Sequence, residues 1–483
     1  MTPDQSYVAQ LETAMERIWE IARGFNLDPY PVNFELVPAT IMYEFGSYGL
    51  PGRFSHWSRG KAYYRMKTEY DYGLSKIYEL VVNTNPSYAF LMEQNDLLQN
   101  KVVVAHVLGH TDMFKHNVYF KQTPPNMIDK VSVNADRIRK YEYEHGTQEV
   151  ERFLDAVLAI DEHIDPNFRI RSEAADGEAA YNTDTDGVIV RSSAYDDLWS
   201  LEGRGKPKKE DQPRTRARRF PPQPAKDILL FLAEHAPNLE DWQRDILLIV
   251  REEMLYFVPQ MQTKVLNEGW ASYWHSRIIR ELELTDAEAT AFAQMHSGVL
   301  ATSRMHLNPY HLGYHILQDI ERRWDNPTEE EREKLGRQPG QGRAKIFEVR
   351  EIESDLSLLR NYLTKDLIEE LDLYLYRKEG DEWVIVEKNW ERVRDGICAS
   401  MTNFGYPYLT VDDGDFNRNS ELLLRHHFEG KELDIPYAEK TLEYLYYIWS
   451  RPVHLDSVYD GRAIRLSYNG EKHGRSLLDR GEE

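Results

Sequence analysis

Residues Val102 to His110 read Val-Val-Val-Ala-His-Val-Leu-Gly-His, two imidazoles inside an otherwise apolar run. The rings are four residues apart, one turn of an α-helix, so His106 and His110 leave the same face and can converge on one point. Advancing 100° per residue extends that stripe to Met113 and Asn117 and leaves His116 off it. Gly109 between the histidines allows a second element to approach closely.

A second segment, Asn267-Glu268-Gly269-Trp270-Ala271, sets a carboxylate beside a glycine and an aromatic residue. Two helical histidines and a distant glutamate make the ligand set of a mononuclear zinc site of the His-Glu-x-x-His type. Here Val107 follows the first histidine, so the usual general base is missing. Glu268 and His275 are two helical turns apart, with the small Ala271 and Ser272 between them. An ionised glutamate on an apolar helix needs a positive partner. Zinc or another divalent transition metal held by His106, His110 and Glu268 supplies one, with His275 as fourth ligand or supporting donor. Pairing of Glu268 with an arginine or lysine is the alternative.

A third cluster comprises His306, His311 and His315, the last two on a helix opened by Asn308-Pro309 and flanked by Tyr310 and Tyr314. These side chains bind a second ion, line a substrate cleft, or hydrogen-bond within an aromatic core. His56, beside Trp57 in a turn-like setting, is a further cleft candidate. Glu44 and Glu79 are candidates for the carboxylate that Val107 does not provide. No phosphate-cradling glycine loop, Cys-x-x-Cys pair or Gly-x-Ser-x-Gly elbow occurs, so no organic cofactor is expected.

The rest of the chain frames these motifs. A length of 483 residues with 41% hydrophobic content fits about two or three domains. Helical periodicity runs over Ser6–Phe25, Tyr72–Val82, Leu97–Tyr119 and, with interruptions, Ile228–Leu373, where Pro259 should kink or end one helix. Residues 26–52 are rich in turns. Residues 171–227 read as a mobile insertion with a basic, proline-flanked run. A hairpin signal at Lys378-Glu379-Gly380-Asp381 precedes a strand near Tyr408–Val411, a helix over Ala438–Trp449, a strand at Val453–Leu455 and a polar tail. The expected fold is mainly α: a large helical domain over 1–390 and a smaller α+β domain over 391–483.

A net charge of -22 argues against nucleic acid or an anionic membrane as partner. No apolar stretch approaches the ~20 residues of a bilayer span. The N-terminus lacks the pattern of a secretory signal, and the single cysteine, Cys398, fits a reducing compartment. A cytoplasmic protein is expected.

The motifs His106-Val107-Leu108-Gly109-His110-Thr111-Asp112-Met113-Phe114-Lys115, Asn267 to His275, Asn308 to Tyr314, and His56-Trp57 with Gly60-Lys61 resemble those of the stage V sporulation protein R family, nearly end to end. The resemblance implies a role in forming the spore cortex, a peptidoglycan layer, and protein partners that include a serine protein kinase system. The His106/His110 pair and Glu268-Gly269-Trp270-Ala271 are also similar to gluzincin-like helices of metallopeptidases, in which a glutamate after the first histidine deprotonates water. Two functions follow: a metal-dependent hydrolase acting on an amide bond of a peptidoglycan-related or protein substrate, or a non-catalytic scaffold that binds a kinase complex or a wall-remodelling enzyme.

Overall fold

The computed structural model describes residues 5–71, 79–167, 219–303, 306–380 and 382–478. Most of the expected insertion lies outside them. The fold is mainly α, with a smaller sheet-containing part at the C-terminus. In chain order the elements are α1 (Gln5–Gly24), β1 (Val32–Val37), α2 (Ala39–Tyr48), α3 (Trp57–Asp71), β2 (Glu79–Val82), β3 (Ser87–Met92), α4 (Leu97–His116), α5 (Met127–His145) and α6 (Thr147–Leu158). They continue as α7 (Ile228–His235), α8 (Asp241–Gln262), α9 (Lys264–Arg280), α10 (Asp286–Val299), α11 (Pro309–Asp325), α12 (Glu329–Leu335), α13 (Gly342–Ile352), α14 (Asp355–Tyr362) and α15 (Lys365–Glu370). Then come β4 (Leu375–Glu379), β5 (Glu382–Glu387), α16 (Trp390–Met401), β6 (Leu409–Phe416), β7 (Glu421–His426), α17 (Ile435–Trp449), β8 (Val453–Tyr459), β9 (Arg462–Tyr468) and β10 (His473–Leu477). The chain divides into two compact units, residues 1–155 with 249–407, and 156–248 with 408–483.

In the first unit, α4 starts where Asp96 accepts from the Gln99 amide at 2.7 Å and Gln99 returns a bond to the Asp96 amide. This reciprocal cap satisfies two donors that a helix start otherwise leaves open. Nearly every side chain from Val103 to Phe114 is buried, so α4 is wrapped by other elements rather than resting on one face. Helix α9 is buried in the same way from Val265 to Ile279. Its first amides, Val265 and Leu266, donate to the Asp355 carboxylate at 2.9 Å each. Burial pushes that carboxyl up to about 7, against the pull of those amides.

Glycines set how closely the central helices meet. A Cβ on Gly109 of α4 would lie 2.6 Å from the Ala271 Cα of α9. One on Gly269 would lie 2.4 Å from the Gly313 carbonyl carbon of α11, and one on Gly313 only 2.1 Å from the Val265 oxygen. Backbone therefore packs on backbone at both crossings, and the neighbouring atoms cannot rotate away as a side chain would. Gly313→Ala should destabilise the fold by about 3 kcal/mol, read as a lowered denaturation midpoint at unchanged slope. Wild-type stability in that variant would show that the crossing is loose.

One expectation changes. Of the helix expected over Tyr72–Val82, residues 72–78 lie outside the described set and 79–82 form strand β2. That strand pairs antiparallel with β3, which pairs parallel with β1. A short apolar run does not reveal its period, and the ladder partners that make it a strand are remote. Helix α8 passes through Pro259 and ends at Gln262, where Thr263 donates its hydroxyl to the Pro259 carbonyl at 2.7 Å. Helix α16 contributes Val393, Ile397 and Cys398 to the core of the first unit.

The β4–β5 hairpin is present as expected. The second unit carries a five-stranded sheet in the order β10-β9-β8-β7-β6, with β7 and β8 parallel across the α17 connection. The polar tail is thus two strands, β9 and β10. Asp460 and Gly461 join β8 to β9 with φ of 47° and 67°, the positive pair that a tight hairpin turn requires.

Candidate metal centre

Helix α4 delivers His106 and His110, helix α9 delivers Glu268, and strand β2 delivers Glu79. The four ligand atoms lie within 4.8 Å of one another, and among the described residues this is the group that can hold a metal ion. From the His106 Nε2, Glu79 is 3.2 Å away and Glu268 3.7 Å. From the His110 Nε2 the corresponding distances are 3.7 and 3.4 Å. Tetrahedral bonds of about 2.0–2.1 Å put ligand atoms about 3.4 Å apart, so these separations match a four-coordinate ion with nitrogen and oxygen donors. His106 Nε2 and Glu268 Oε2 are buried and make no hydrogen bond of normal geometry, though both face the same centre. The residues fit a metal.

Electrostatics agree. Burial disfavours charge on Glu79 and Glu268, yet the adjacent imidazoles outweigh it, holding Glu268 at about 2 and Glu79 well below the usual carboxylate range. Burial likewise opposes charge on the histidines, but the two carboxylates raise His106 and bring His110 up to about 10. Two protons thus balance two carboxylates, and one divalent cation can replace those protons.

The outer atoms of both rings are held. His110 Nδ1 donates to the Asn267 side-chain oxygen at 2.9 Å. His106 Nδ1 lies 2.8 Å from His275 Nδ1, and His275 Nε2 lies 2.9 Å from His296 Nδ1. With His106 Nε2 turned to the centre, its Nδ1 carries the hydrogen and donates. His275 accepts and passes its own hydrogen to His296, so one ring sets the tautomer of the next. Burial and the neighbouring His106 keep His275 well below the ordinary imidazole value, in the neutral form this chain needs.

The structure brings together three of the four expected ligands, His106, His110 and Glu268. His275 stands behind His106 as an acceptor, and the fourth donor atom comes from Glu79. Tyr310 stacks on His106, ring centroids 6.0 Å apart, and burial with the nearby Glu268 and Glu79 carboxylates holds its hydroxyl above the ordinary phenol range. Tyr314 is one step back, packed against His296 at 5.3 Å. The His311 and His315 rings pack against each other, centroids 4.5 Å apart. His56 makes its contacts with Ser58 and Asp155 instead.

Sequence reasoning weighed Glu79 only as a stand-in base, because its strand was read as helix. Asp112, two residues past His110, was passed over. Fully buried, it accepts from the Asp28 amide at 2.9 Å, Trp270 Nε1 at 3.0 Å and Arg350 at 2.8 Å, tying α4 to α9 and α13. Its place on the helix beside the histidine stripe was the signal available.

No helix among the described residues is long and apolar enough to cross a membrane. No solved structure matches the chain. YcgB of Escherichia coli (strain K12), described as an uncharacterized protein, is 33% identical over 339 residues, covering 67% of this chain and 65% of that protein's own length. The family model for SpoVR like protein matches residues 5–406, and that for the SpoVR-like C-terminal domain matches 407–460. With both models in register along one sequence, the chain belongs to the SpoVR-like family.

Proposed function

We propose that this protein is a metal-dependent hydrolase of amide bonds, in which His106, His110 and Glu268 hold a divalent transition metal and Glu79, whose carboxylate closes the four-atom group at rest, turns to serve as the base when substrate is bound. The observation that carries the reading is the convergence of two imidazoles and two carboxylates at tetrahedral spacing. A divalent ion held there polarises a carbonyl and lowers the pKa of water. The division of labour among the residues rests on how each is mounted. His106, His110 and Glu268 come from two buried helices locked at the Gly109 crossing. Glu79 opens a short strand rather than projecting from a buried helix, so its carboxylate is the one free to turn towards attacking water and take its proton. The side chains of Glu79 and Glu268 are 21% and 18% exposed against 6% and 5% for the histidines, so substrate reaches the centre from the carboxylate side.

A peptidoglycan-related peptide or a protein segment is the substrate class, and spore cortex formation in the cytoplasm, alongside a serine protein kinase system, is the setting. Elemental analysis of protein purified without added metal tests the core claim. About one transition-metal ion per chain is expected, and none in His110→Ala. Protein that stays metal-free after incubation with zinc, manganese or iron(II), while keeping its native circular dichroism, would falsify the reading.

A further inference from the structure

The His56-Trp57 motif takes no part in the metal centre, yet it carries a relay of its own. Asp155 Oδ1 accepts the Trp57 indole N–H at 2.6 Å and lies 3.1 Å from His56 Nε2. A carboxylate oxygen facing a ring nitrogen assigns the hydrogen to Nε2, which leaves Nδ1 as an acceptor. Ser58 Oγ sits 2.7 Å from that Nδ1, with the Ser58 amide 3.4 Å from the same atom. The hydroxyl therefore donates to the ring, and the order is serine, imidazole, carboxylate. His56 is 6% exposed, while Ser58 and Asp155 both reach solvent in part.

From this arrangement we infer that Ser58 is an activated nucleophile in a second, serine-type acyl-transfer centre, with His56 as its base and Asp155 as the group that orients the ring. Generic contacts of this kind define such triads whatever their order in the chain. Burial holds His56 below the ordinary imidazole value, against the pull of Asp155, so the neutral ring that can accept a proton predominates at neutral pH. Ser58 is the second residue of α3, a fifteen-residue helix. The ring also caps the start of α3 through the Ser58 amide, but capping calls for neither the Ser58 hydroxyl on Nδ1 nor the carboxylate behind Nε2.

The chemistry suits an ester or another activated acyl group. Ser58 Oγ bonds to the acyl carbon while the bond to the leaving alcohol breaks. The hydroxyl proton passes to His56 Nδ1 and on to the leaving oxygen, and water releases the acyl group by the same route. This centre stands independently of the metal.

A fluorophosphonate probe tests it, because Oγ then bonds to phosphorus as fluoride leaves with the proton. Mass spectrometry of the labelled full-length protein should place the adduct on Ser58. Labelling should vanish in Ser58→Ala and slow by about 100-fold or more in His56→Gln. Asp155→Asn should slow it while Trp57→Phe, which removes only the indole bond, leaves it largely intact. Labelling should persist in His110→Ala, which separates this centre from the metal one. A folded protein without an adduct at Ser58, or an equal rate in His56→Gln, overturns the inference.

Discussion

Glu79→Gln is expected to keep its metal and lose its catalysis, whereas Glu268→Gln loses the metal. The two carboxylates lie at nearly equal distances from the imidazoles, so distance does not separate their roles; mounting does. Glu268 projects from a helix whose first amides bind Asp355 and whose Gly269 meets the Gly313 backbone. Removing its charge should weaken metal binding by more than about 100-fold, beyond what loss of an outer-sphere partner brings. Removing the charge of Glu79 should leave binding within roughly tenfold and lower amide hydrolysis by about 10² to 10⁴. Metal titration by calorimetry, together with turnover of a peptide substrate, reads both effects. Equal metal loss in the two variants would make Glu79 a plain fourth ligand and remove the base from the proposal.

The largest stability effect should come from Asp112→Ala. Arg350 is buried, with its side chain 4% exposed, and Asp112 is fully buried. Truncating the aspartate leaves the guanidinium with only the half-exposed Glu351, 2.8 Å away, and orphans the Trp270 indole and the Asp28 amide at once. Breaking a buried pair from one side costs about 3–5 kcal/mol, and the denaturation temperature should fall by about 5–8 °C. The double variant Asp112→Leu with Arg350→Met should recover most of that loss, because no buried charge is then left unpaired. A loss of under about 1 kcal/mol in Asp112→Ala would mean that water reaches Arg350 and that the pair does not tie the helices together.

The resemblance read from the His106–Lys115 and Asn267–His275 motifs placed the chain in a family that the comparisons then established. The mainly α architecture was equally legible. So were α1, α4, the Asn308-Pro309 start of α11 and the β4–β5 hairpin, since each is written in a local period or a cap. The β9–β10 strands were not, although Asp460-Gly461 is a hairpin turn in plain view; without an apolar alternation the tail looked like loop. Nor was the packing of α16 into the first unit, which depends on what Val393 and Ile397 meet far away in sequence.

At the metal centre the division follows the same line. Sequence alone fixed that His106 and His110 share a face, because helical geometry acts over four residues. It also marked Glu268 as a carboxylate in need of a positive partner. Only the tertiary structure decided that Glu79, from a strand paired with β3, completes the group, and that His275 faces the outer nitrogen of His106 rather than the centre. A helix face is set by neighbours along the chain, whereas the meeting of a strand with two helices is set by ladder bonds and by glycine crossings between remote segments.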